Sequence, residues 1–265
     1  MHVTSSYSDV CESAVRAAGK VLLENLGRVS VREKGPADLV TEADIAAQEA
    51  VRRVVAGAFP SHVLIGEEDQ PGMKRSAPPS EFRWIVDPLD GTTNYVHQVP
   101  HFSVSLALER QGELLVGAVL DPVADECFTA VRGEGAYLNG ERVRTSGVSA
   151  LAQALVAIGF PAVVRPGAPD LRAFLEAVQA CQSMRRTGSA ALNLAYVAAG
   201  RFDACWSFST KAWDAAAGVL LIREAGGVVT SPDGTPFVLE RGHFLGAATV
   251  ELHRQVQALM ARAGL

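Results

Sequence analysis

The amino-acid sequence predicts a mixed α/β (α+β) protein in which helices and sheets stack in layers. The N-terminal segment has apolar residues at helical spacing, including Val10, Ala14, Ala17 and Val21. The middle of the chain has strand-like runs separated by short turns, and the remainder alternates between strand-like and helix-like segments. With 265 residues, 48% of them apolar and 20% charged, the chain has the composition of a globular protein with a sizeable core.

In the first half, two helices are predicted before a series of strands. The first helix covers residues 7–25 and is stopped by Gly27, and the second covers residues 41–57. The strands are predicted at residues 62–65, 83–86, 102–108, 114–120 and 126–131. Asn139-Gly140 is typical of a β-hairpin turn, so the later strands are expected to form an antiparallel meander.

In the second half, strand and helix patterns follow one another. The predicted elements are a strand at 154–158, helices at 170–182 and 190–199, a strand at 202–206, a helix at 215–224, strands at 228–230 and 244–247, and a helix ending at 263. Ser189 is the predicted N-cap of the helix at 190–199, although small residues there would also let a ligand approach. The change of pattern near residue 145 predicts two lobes, 1–145 and 146–265.

The charge and cysteine patterns exclude several classes of protein. A net charge of −5 and a pI near 5.7, without a long Lys/Arg run, argue against direct binding of nucleic acid or of an acidic membrane surface. The sequence shows no signal peptide and no apolar run of the ~18 residues that a membrane span needs, so we expect a cytoplasmic protein. The four cysteines lack zinc-site spacing, which favours buried thiols.

The stretch WIVDPLDGTTNYVH, residues 84–97, ends a predicted buried strand on two carboxylates, Asp87 and Asp90. Like charges this close do not both stay ionised unless a cation lies between them. Pro88 favours a tight turn that directs both side chains into one cleft. The Gly-Thr-Thr segment that follows offers backbone N–H groups and hydroxyls suited to phosphate oxygens. The alternative is a solvated turn or a helix cap.

Further carboxylates lie at the ends of other predicted elements. Glu67 and Glu68 follow a short strand, and Asp214 lies at the start of a helix, so three element ends could converge. Each of these acids alone is also typical of a solvated surface or of a helix start. Asp44 fits a capping box with Thr41, which is an alternative to a role in chemistry.

Five segments together resemble the inositol monophosphatase family. They are KGPADLVTEAD at 34–44, GEED at 66–69, DPLDGTTNYVH at 87–97, RRTGSAALNLAYVAAGRFDA at 185–204 and WDAAAGVLLIREAGG at 213–227. The segments have the family's order and spacing, and the resemblance covers nearly the whole chain. It implies a layered α–β–α–β–α sandwich of the inositol monophosphatase and fructose-bisphosphatase type. It also implies a magnesium-dependent phosphomonoesterase that forms a homodimer.

The resemblance assigns a role to each matching residue. The implied metal ligands are Glu67, Asp87, the carbonyl of Leu89, Asp90 and Asp214. The implied catalytic residues are Asp44 and Thr92, which orient the attacking water, together with the ligands Glu67 and Asp90. The implied substrate contacts are Gly91, Thr92, Gly188, Ser189, Ala190, Ser207 and Asp214, and the implied supporting residues are Glu68 and Lys34.

The resemblance implies two or three Mg²⁺ ions, for which Mn²⁺ can substitute. The charges of the implied carboxylate ligands also favour bound cations. Four carboxylates carry about −4 and a phosphate monoester about −2, so a site without cations would repel its substrate. Oxygen ligands without histidine or cysteine also favour Mg²⁺ or Mn²⁺ over zinc. With ions roughly 3.5–4 Å apart, one lowers the pKa of the attacking water and another stabilises the leaving oxygen.

The substrate is less constrained, because one position departs from the family pattern. Relatives that favour inositol phosphates commonly have a glutamate where this chain has Ser207, and loss of that acceptor weakens recognition by roughly 1.5–3 kcal/mol. Inositol monophosphate or a related polyol or sugar phosphate is the main prediction, with fructose 1,6-bisphosphate, 3′-phosphoadenosine 5′-phosphate and histidinol phosphate as alternatives. Lys211 either contacts a second anionic group or lies on the surface. Because some relatives act in transcription or RNA assemblies, a protein-interaction module is the alternative of a different class.

Overall fold

The fold is described by a computed structural model that covers residues 3–28, 31–35, 38–69 and 80–265. Within these ranges the helices are α1 Val3–Asn25, α2 Glu42–Ala58, α3 Thr92–Val96, α4 Pro169–Ala180, α5 Ala190–Ala198, α6 Ala212–Glu224 and α7 Val250–Arg262. The strands are β1 Val31–Gly35, β2 Asp38–Thr41, β3 Val63–Gly66, β4 Phe82–Asp90, β5 Ser103–Arg110, β6 Glu113–Asp121, β7 Glu126–Val131, β8 Gly135–Leu138, β9 Glu141–Val143, β10 Leu155–Ile158, β11 Ser183–Arg185, β12 Ala204–Ser207, β13 Val228–Thr230 and β14 Phe244–Ala247.

The larger sheet has seven strands in the order β3-β4-β5-β6-β7-β8-β9. β3 runs parallel to β4, and the other neighbouring pairs are antiparallel, which confirms the predicted meander. Asn139 and Gly140 join β8 to β9 with φ angles of 48° and 83°. Two positive φ angles are what a type I′ hairpin turn requires, so the predicted turn is confirmed.

The side chains of β5 show that this sheet is covered on both faces. Leu106 and Leu108 are buried in the core that the sheet shares with α1 and α2. Ala107 points the other way and belongs to the core shared with α5 and α6. Gly117 on β6 allows α6 to approach closely, because a Cβ there would lie 2.9 Å from the Cα of Ala217. Burial on both faces explains the nearly continuous apolar pattern of these strands.

The smaller sheet has five strands in the order β11-β10-β12-β14-β13. β10 pairs in parallel with β11 and β12, whereas β14 pairs in antiparallel with β12 and β13. α4 and α7 cover its outer face, and α5 and α6 lie between the two sheets. The layers are therefore helix, sheet, helix, sheet and helix, which confirms the predicted α–β–α–β–α sandwich.

The main differences from the sequence prediction concern short elements and element ends. α6 begins at Ala212 rather than at residue 215, because Asp214 accepts the N–H of Lys211 and so caps an earlier start. β1, β2, α3 and β11 were not predicted, and each has only three to five residues. Elements this short carry too few periodic positions to be recognised from sequence.

The division of the chain into two lobes is less marked than the sequence suggests. The two sheets separate between Val143 and Leu155, close to the predicted seam. However, α5 and α6 pack against both sheets, so one apolar core joins the two halves. The lobes 1–145 and 146–265 stay a prediction. In the described part of the chain, no helix combines the length and the apolar character needed to cross a membrane.

Candidate active site

The end of β4 contains a bulge that turns both of its aspartates to the same side of the sheet. Asp87 lies opposite Ser105 of β5, and Asp90 lies opposite Ser103, so two residues of β4 oppose one of β5. In a regular strand, residues three positions apart point to opposite faces. The N–H of Leu89 donates to Asp87 Oδ1 at 3.0 Å within the bulge. The bulge in the DPLD sequence therefore places the carboxylates of Asp87 and Asp90 next to each other.

Asp90 is held by groups from the start of α5. Its Oδ2 accepts the Ser189 hydroxyl at 2.5 Å and the Ala191 N–H at 2.7 Å, and the Ser103 hydroxyl lies 3.5 Å away. Ser189 also accepts the N–H of Leu192, which confirms it as the N-cap of α5. Burial raises the pKa of Asp90, and the hydrogen bond from Ser189 partly offsets this. The contacts fasten β4 to the helix layer between the sheets.

Three carboxylates from three elements meet beside this bulge. Each of Glu67, Asp87 and Asp214 offers an oxygen, and these oxygens all lie within 4.8 Å of one another. Glu67 directly follows β3, and Asp214 lies in the first turn of α6. The Ser105 hydroxyl donates to the carbonyl of Trp213 at 3.0 Å and so ties the start of α6 to β5. The predicted convergence of three element ends is confirmed.

Burial and the repulsion of nearby carboxylates raise the pKa values of Asp87 and Asp214. Burial raises the pKa of Asp87 well above its usual range, and the nearby Glu67, Asp90 and Asp214 raise it further. Burial also raises the pKa of Asp214 to about 7, with Asp90 as the next cause. Keeping all of these groups ionised is therefore unfavourable unless a cation neutralises them.

The donor set fits a hard divalent cation. It consists of carboxylate oxygens close enough to share one ion, and neither histidine nor cysteine belongs to this group in the described ranges. Mg²⁺ and Mn²⁺ prefer such oxygen ligands. A bound ion would also remove the repulsion that raises the pKa values of Asp87 and Asp214. Glu67, Asp87 and Asp214 together could therefore hold one metal ion.

A cavity of about 610 Å³ adjoins the carboxylates. The four predicted acidic ligands line it, as do the other predicted ligand and substrate residues Leu89, Gly91, Thr92, Gly188, Ser189, Ala190 and Ser207. Among the lining residues that the structure describes, the one cation is Arg186, whose guanidinium lies 5.1 Å from the centre of the Phe160 ring. The cavity is therefore strongly acidic at one end and lined mainly by polar residues elsewhere.

Two glycine-containing loops lie close together at this cavity. Gly91 and Gly188 have φ angles of 99° and 95°, in the left-handed region that favours glycine. A Cβ on Gly91 would lie 3.3 Å from the carbonyl oxygen of Gly188. Asn94 joins the loops by donating to the carbonyls of His101 at 2.7 Å and Thr187 at 2.8 Å. The two predicted substrate loops therefore form one surface.

Ser207 ends β12 and is completely buried by protein atoms around the cavity. Its hydroxyl oxygen accepts the N–H of Ser209 at 3.3 Å. A Cβ on Gly159, which follows β10, would lie 2.8 Å from this oxygen, so the backbone of Gly159 packs closely against Ser207. Ser209 and Thr210 also line the cavity, which gives this wall neutral hydroxyls.

Asp44 forms the capping box that the sequence predicts. Its Oδ2 accepts the Thr41 N–H at 2.8 Å and the Thr41 hydroxyl at 2.5 Å, while Thr41 accepts the N–H of Ala43. Burial raises the pKa of Asp44 to about 6. The Thr92 hydroxyl donates to the Leu89 carbonyl at 3.1 Å, and in the described ranges no hydrogen bond joins it to Asp44. The water-orienting role of this pair stays a prediction.

The remaining predicted residues differ in how closely they approach the cavity. The N–H of Glu68 donates to Gln48 at 3.1 Å, and its carboxylate is near enough to contribute to the raised pKa of Asp44, after burial. Lys34 lies on β1, but its side chain is outside the described part of the structure. Lys211 is exposed and does not line the cavity, which agrees with the surface alternative.

Several residues that shape the site were not predicted from the sequence. Ser103 and Ser105 lie opposite the two aspartates of β4, and Asn94 joins the two glycine loops. Arg186 lines the cavity, and Asp69 holds the turn that carries the acidic pair 67–68. The alternating serines at the start of a buried, otherwise apolar strand were the signal that could have revealed the first two.

Comparisons with known proteins agree with this geometry. The chain matches the model of the inositol monophosphatase family over residues 4–264. It is 45% identical over 244 residues to a Nus factor SuhB from Pseudomonas aeruginosa, covering 89% of each chain. It is also 45% identical over 242 residues to an inositol-1-monophosphatase from Rhizobium meliloti, covering 90% of each chain.

Solved structures show the same fold. The extragenic suppressor protein suhB from Bartonella henselae superimposes with a TM-score of 0.90 at 36% identity, covering 96% of this chain and 98% of that chain. An IMPase/NADP phosphatase complexed with Mg²⁺ and phosphate superimposes with a TM-score of 0.84 at 25% identity, covering 97% and 96%. The chain therefore belongs to the inositol monophosphatase family and, like its members, is a phosphoric monoester hydrolase.

Proposed function

We propose that the protein is a Mg²⁺-dependent phosphatase of inositol monophosphate or of a related polyol or sugar phosphate. The observation that carries the proposal is the group of Glu67, Asp87 and Asp214 beside a cavity of about 610 Å³. That volume suits a small phosphate ester, since small-molecule sites typically measure ~300–1,000 Å³. The similar structure that was complexed with Mg²⁺ and phosphate supports the choice of cation.

The acidic residues would hold the ions, and the chain supplies them from three separate elements. Glu67, Asp87 and Asp214 form the central group, and the Leu89 carbonyl and Asp90 adjoin it on the cavity surface. We propose two or three Mg²⁺ ions, for which Mn²⁺ substitutes. When bound, Mg²⁺ neutralises the phosphate, lowers the pKa of an attacking water and stabilises the leaving oxygen.

The two glycine loops bind the phosphate oxygens in this proposal. Gly91 and Thr92 belong to one loop, and Gly188, Ser189 and Ala190 belong to the other. Because neither glycine has a side chain, phosphate oxygens can approach the backbone N–H groups closely. The hydrogen bonds of Asn94 keep the two loops together before the substrate arrives, which reduces the ordering that binding requires.

Thr92 and Asp44 orient the attacking water in this proposal. Thr92 lines the cavity, and its oxygen can accept a hydrogen bond from a water while its proton goes to another acceptor. The role requires the Thr92 hydroxyl to turn from the Leu89 carbonyl towards Asp44 when substrate is bound. With a pKa of about 6, Asp44 is mostly ionised at neutral pH and can accept a hydrogen bond from the Thr92 hydroxyl.

The wall around Ser207 selects the leaving group. The wall contains the hydroxyls of Ser207, Ser209 and Thr210, which are neutral partners for hydrogen bonds with a hydroxylated leaving group. A polyol or sugar provides matching hydroxyls, which is why we propose this substrate class. Without a carboxylate at position 207, recognition of inositol itself is weaker by roughly 1.5–3 kcal/mol.

The test is a phosphate-release panel with Mg²⁺, repeated in EDTA. The substrates are inositol 1-phosphate, fructose 1,6-bisphosphate, 3′-phosphoadenosine 5′-phosphate, histidinol phosphate and a nicotinamide dinucleotide phosphate. We expect release from inositol 1-phosphate that disappears in EDTA. Turnover that persists in EDTA would contradict the proposed chemistry, and a clear preference for another member of the panel would replace the proposed substrate.

The Ser207→Glu variant tests the specificity argument within the same panel. We expect kcat/KM for inositol 1-phosphate to rise about tenfold, because 1.4 kcal/mol corresponds to one factor of ten. The neighbouring Ser209→Ala variant is the matched control, since it removes a hydroxyl from the same wall without adding a carboxylate. If Ser207→Glu brings no gain, residues other than Ser207 decide the preference.

A second candidate function is a protein-interaction role, because one of the relatives is named a Nus factor. The acidic net charge of −5 argues against direct RNA binding but not against a protein partner. Recovery of the same partner with wild type and with Asp90→Asn, together with no activity on any phosphate ester, would favour this role. A partner lost together with activity would link the two functions.

We also propose that the protein is a cytoplasmic homodimer, as the family resemblance implies. Light scattering coupled to size exclusion measures the mass directly, and a dimer of the 28.0 kDa chain has twice that mass. Fractionation of expressing cells tests the location. A monomer across the micromolar range, or recovery with the membrane fraction, would contradict the respective part of the proposal.

A further inference from the structure

The carboxylate of Asp69 joins the turn that carries Glu67 to α2. Its Oδ1 accepts Gln48 Nε2 at 3.0 Å and an Arg52 guanidinium N–H at 2.9 Å. Its Oδ2 accepts the N–H of Gly66, the last residue of β3, at 3.0 Å. One side chain therefore links a strand end to two consecutive turns of a helix.

The same network reaches the other side of Glu67. Gln48 Oε1 accepts the N–H of Glu68 at 3.1 Å, so the N–H groups that flank Glu67 are bound by Asp69 and by Gln48. The N–H of Glu67 itself donates to the Val86 carbonyl of β4 at 3.2 Å. Three consecutive backbone N–H groups are thus fixed.

Gly66 makes this close approach possible. A Cβ at position 66 would lie only 1.9 Å from Gln48 Oε1, so any other residue would displace the glutamine. Gln48 is 6% exposed, which shows that its amide is enclosed rather than solvated. A buried amide that uses both its oxygen and its nitrogen has little freedom to rearrange.

We propose that Asp69, Gln48 and Arg52, together called the α2 clamp, are positioning residues that hold Glu67 in place for a divalent cation. The inference rests on the proposed function, because it assumes that Glu67 is a metal ligand. The clamp does not touch the ion. It acts by fixing the backbone on both sides of the ligand, so that the carboxylate is placed before the cation arrives.

A purely structural role for these residues predicts a different result. If the clamp only joined α2 to the sheet, its loss would lower the stability of the fold without changing the affinity of folded protein for a cation. If it positions Glu67, its loss weakens cation binding in protein that is still folded. Supporting groups around metal ligands typically change metal affinity by ~10- to 100-fold.

The experiment is a titration of the metal-free protein with Mn²⁺, in which electron paramagnetic resonance measures the free ion. For Asp69→Ala we expect an apparent Kd about tenfold higher than for wild type. Thermal unfolding in EDTA is followed in parallel to establish that the variant is folded. The Mg²⁺ concentration for half-maximal phosphate release should rise similarly, while kcat at saturating Mg²⁺ changes little.

Neighbouring arginines provide a matched pair of variants. Arg52→Ala removes one donor from Asp69, whereas Arg53→Ala removes an exposed arginine that donates to the backbone carbonyl of Glu49 in its own helix. We expect Arg52→Ala to weaken Mn²⁺ binding about threefold, Arg52→Lys to restore most of it, and Arg53→Ala to match wild type. This series decides the question even if Asp69→Ala does not fold.

The outcomes separate this inference from the proposed function. If wild type does not bind Mn²⁺, the proposed metal site is wrong. If wild type binds Mn²⁺ but Asp69→Ala and Arg52→Ala bind it as tightly as Arg53→Ala does, only the positioning role of the α2 clamp is overturned.

Discussion

Two helices of this protein begin with the same local contact but place it in different surroundings. In α2, Asp44 accepts the N–H of Thr41 at 2.8 Å, and in α6, Asp214 accepts the N–H of Lys211 at 2.7 Å. Both aspartates occupy the third helical position. Asp214 also belongs to the carboxylate group and lines the cavity, whereas in the described structure Asp44 does neither.

Helix capping and metal binding are therefore not alternatives for an aspartate. Each cap uses one carboxylate oxygen, Oδ2, and a carboxylate has a second oxygen for other contacts. What differs is the surroundings, since β3 and β4 bring two more acids to Asp214. The surroundings, and not the local motif, therefore decide which capping aspartate can bind a cation.

The largest effect is expected for Asp214→Asn. The asparagine oxygen can still accept the Lys211 N–H, so the start of α6 is kept while one charge is removed from the carboxylate group. We expect Mg²⁺-dependent phosphate release to fall at least ~10³-fold, because a metal ligand supports several kcal/mol of transition-state stabilisation. Steady-state assays measure this, and activity close to that of wild type would remove Asp214 from the metal site.

A smaller effect is expected for Asp44→Asn, the matching variant in α2. The cap with Thr41 is retained, but the carboxylate charge that would favour a hydrogen bond from Thr92 is lost. We expect activity to fall about 10²-fold, while Mn²⁺ affinity stays within about a factor of two of wild type. Undiminished activity would leave Asp44 with its capping role alone.

The pH dependence of stability should also separate Asp214 from its asparagine variant. The pKa of Asp214 is raised to about 7 in the folded protein, whereas in the unfolded chain it is about 3.9. Between these values the folded state holds a proton that the unfolded state has released, so this group lowers stability progressively as pH rises towards 7. In EDTA, Asp214→Asn should gain Tm relative to wild type between pH 5 and pH 8.

Saturating Mg²⁺ provides the control for that measurement. A cation keeps the carboxylates ionised, so it should stabilise wild type more at pH 8 than at pH 5. Asp214→Asn should show a smaller Mg²⁺-dependent increase in Tm. A difference in Tm between the two proteins that stays constant with pH would show that Asp214 does not titrate in this range.

The smallest effect is expected at the caps themselves. Thr41→Ala removes a hydroxyl that accepts the Ala43 N–H and should lower the free energy of unfolding by about 1 kcal/mol. Lys211→Ala keeps its backbone N–H and should change stability by less than ~0.5 kcal/mol. Denaturant unfolding measures both, and an equal loss in the two variants would contradict the distinction between these caps.

Much of the fold could be predicted from the sequence because long elements carry clear periodicity. The meander, the Asn139-Gly140 turn and the long helices are confirmed. The short elements β1, β2, α3 and β11 could not be recognised, since three to five residues carry too few periodic positions. The sequence also did not identify α5 and α6 as the helices that form the layer between the two sheets.

The candidate site was predictable in its residue types but not in its geometry. The family motifs identified the acids, and the structure places Glu67, Asp87 and Asp214 together. The bulge that turns Asp87 and Asp90 to one side depends on the pairing of β4 with β5, which no local sequence specifies. The α2 clamp likewise depends on contacts between residues about twenty positions apart.

The most direct test of the central claim is anomalous diffraction from a crystal grown with Mn²⁺. The account predicts a Mn²⁺ peak about 2 Å from carboxylate oxygens of Glu67, Asp87 and Asp214. A crystal in which Mn²⁺ binds only elsewhere, or in which Glu67 or Asp214 faces away from Asp87, would contradict it.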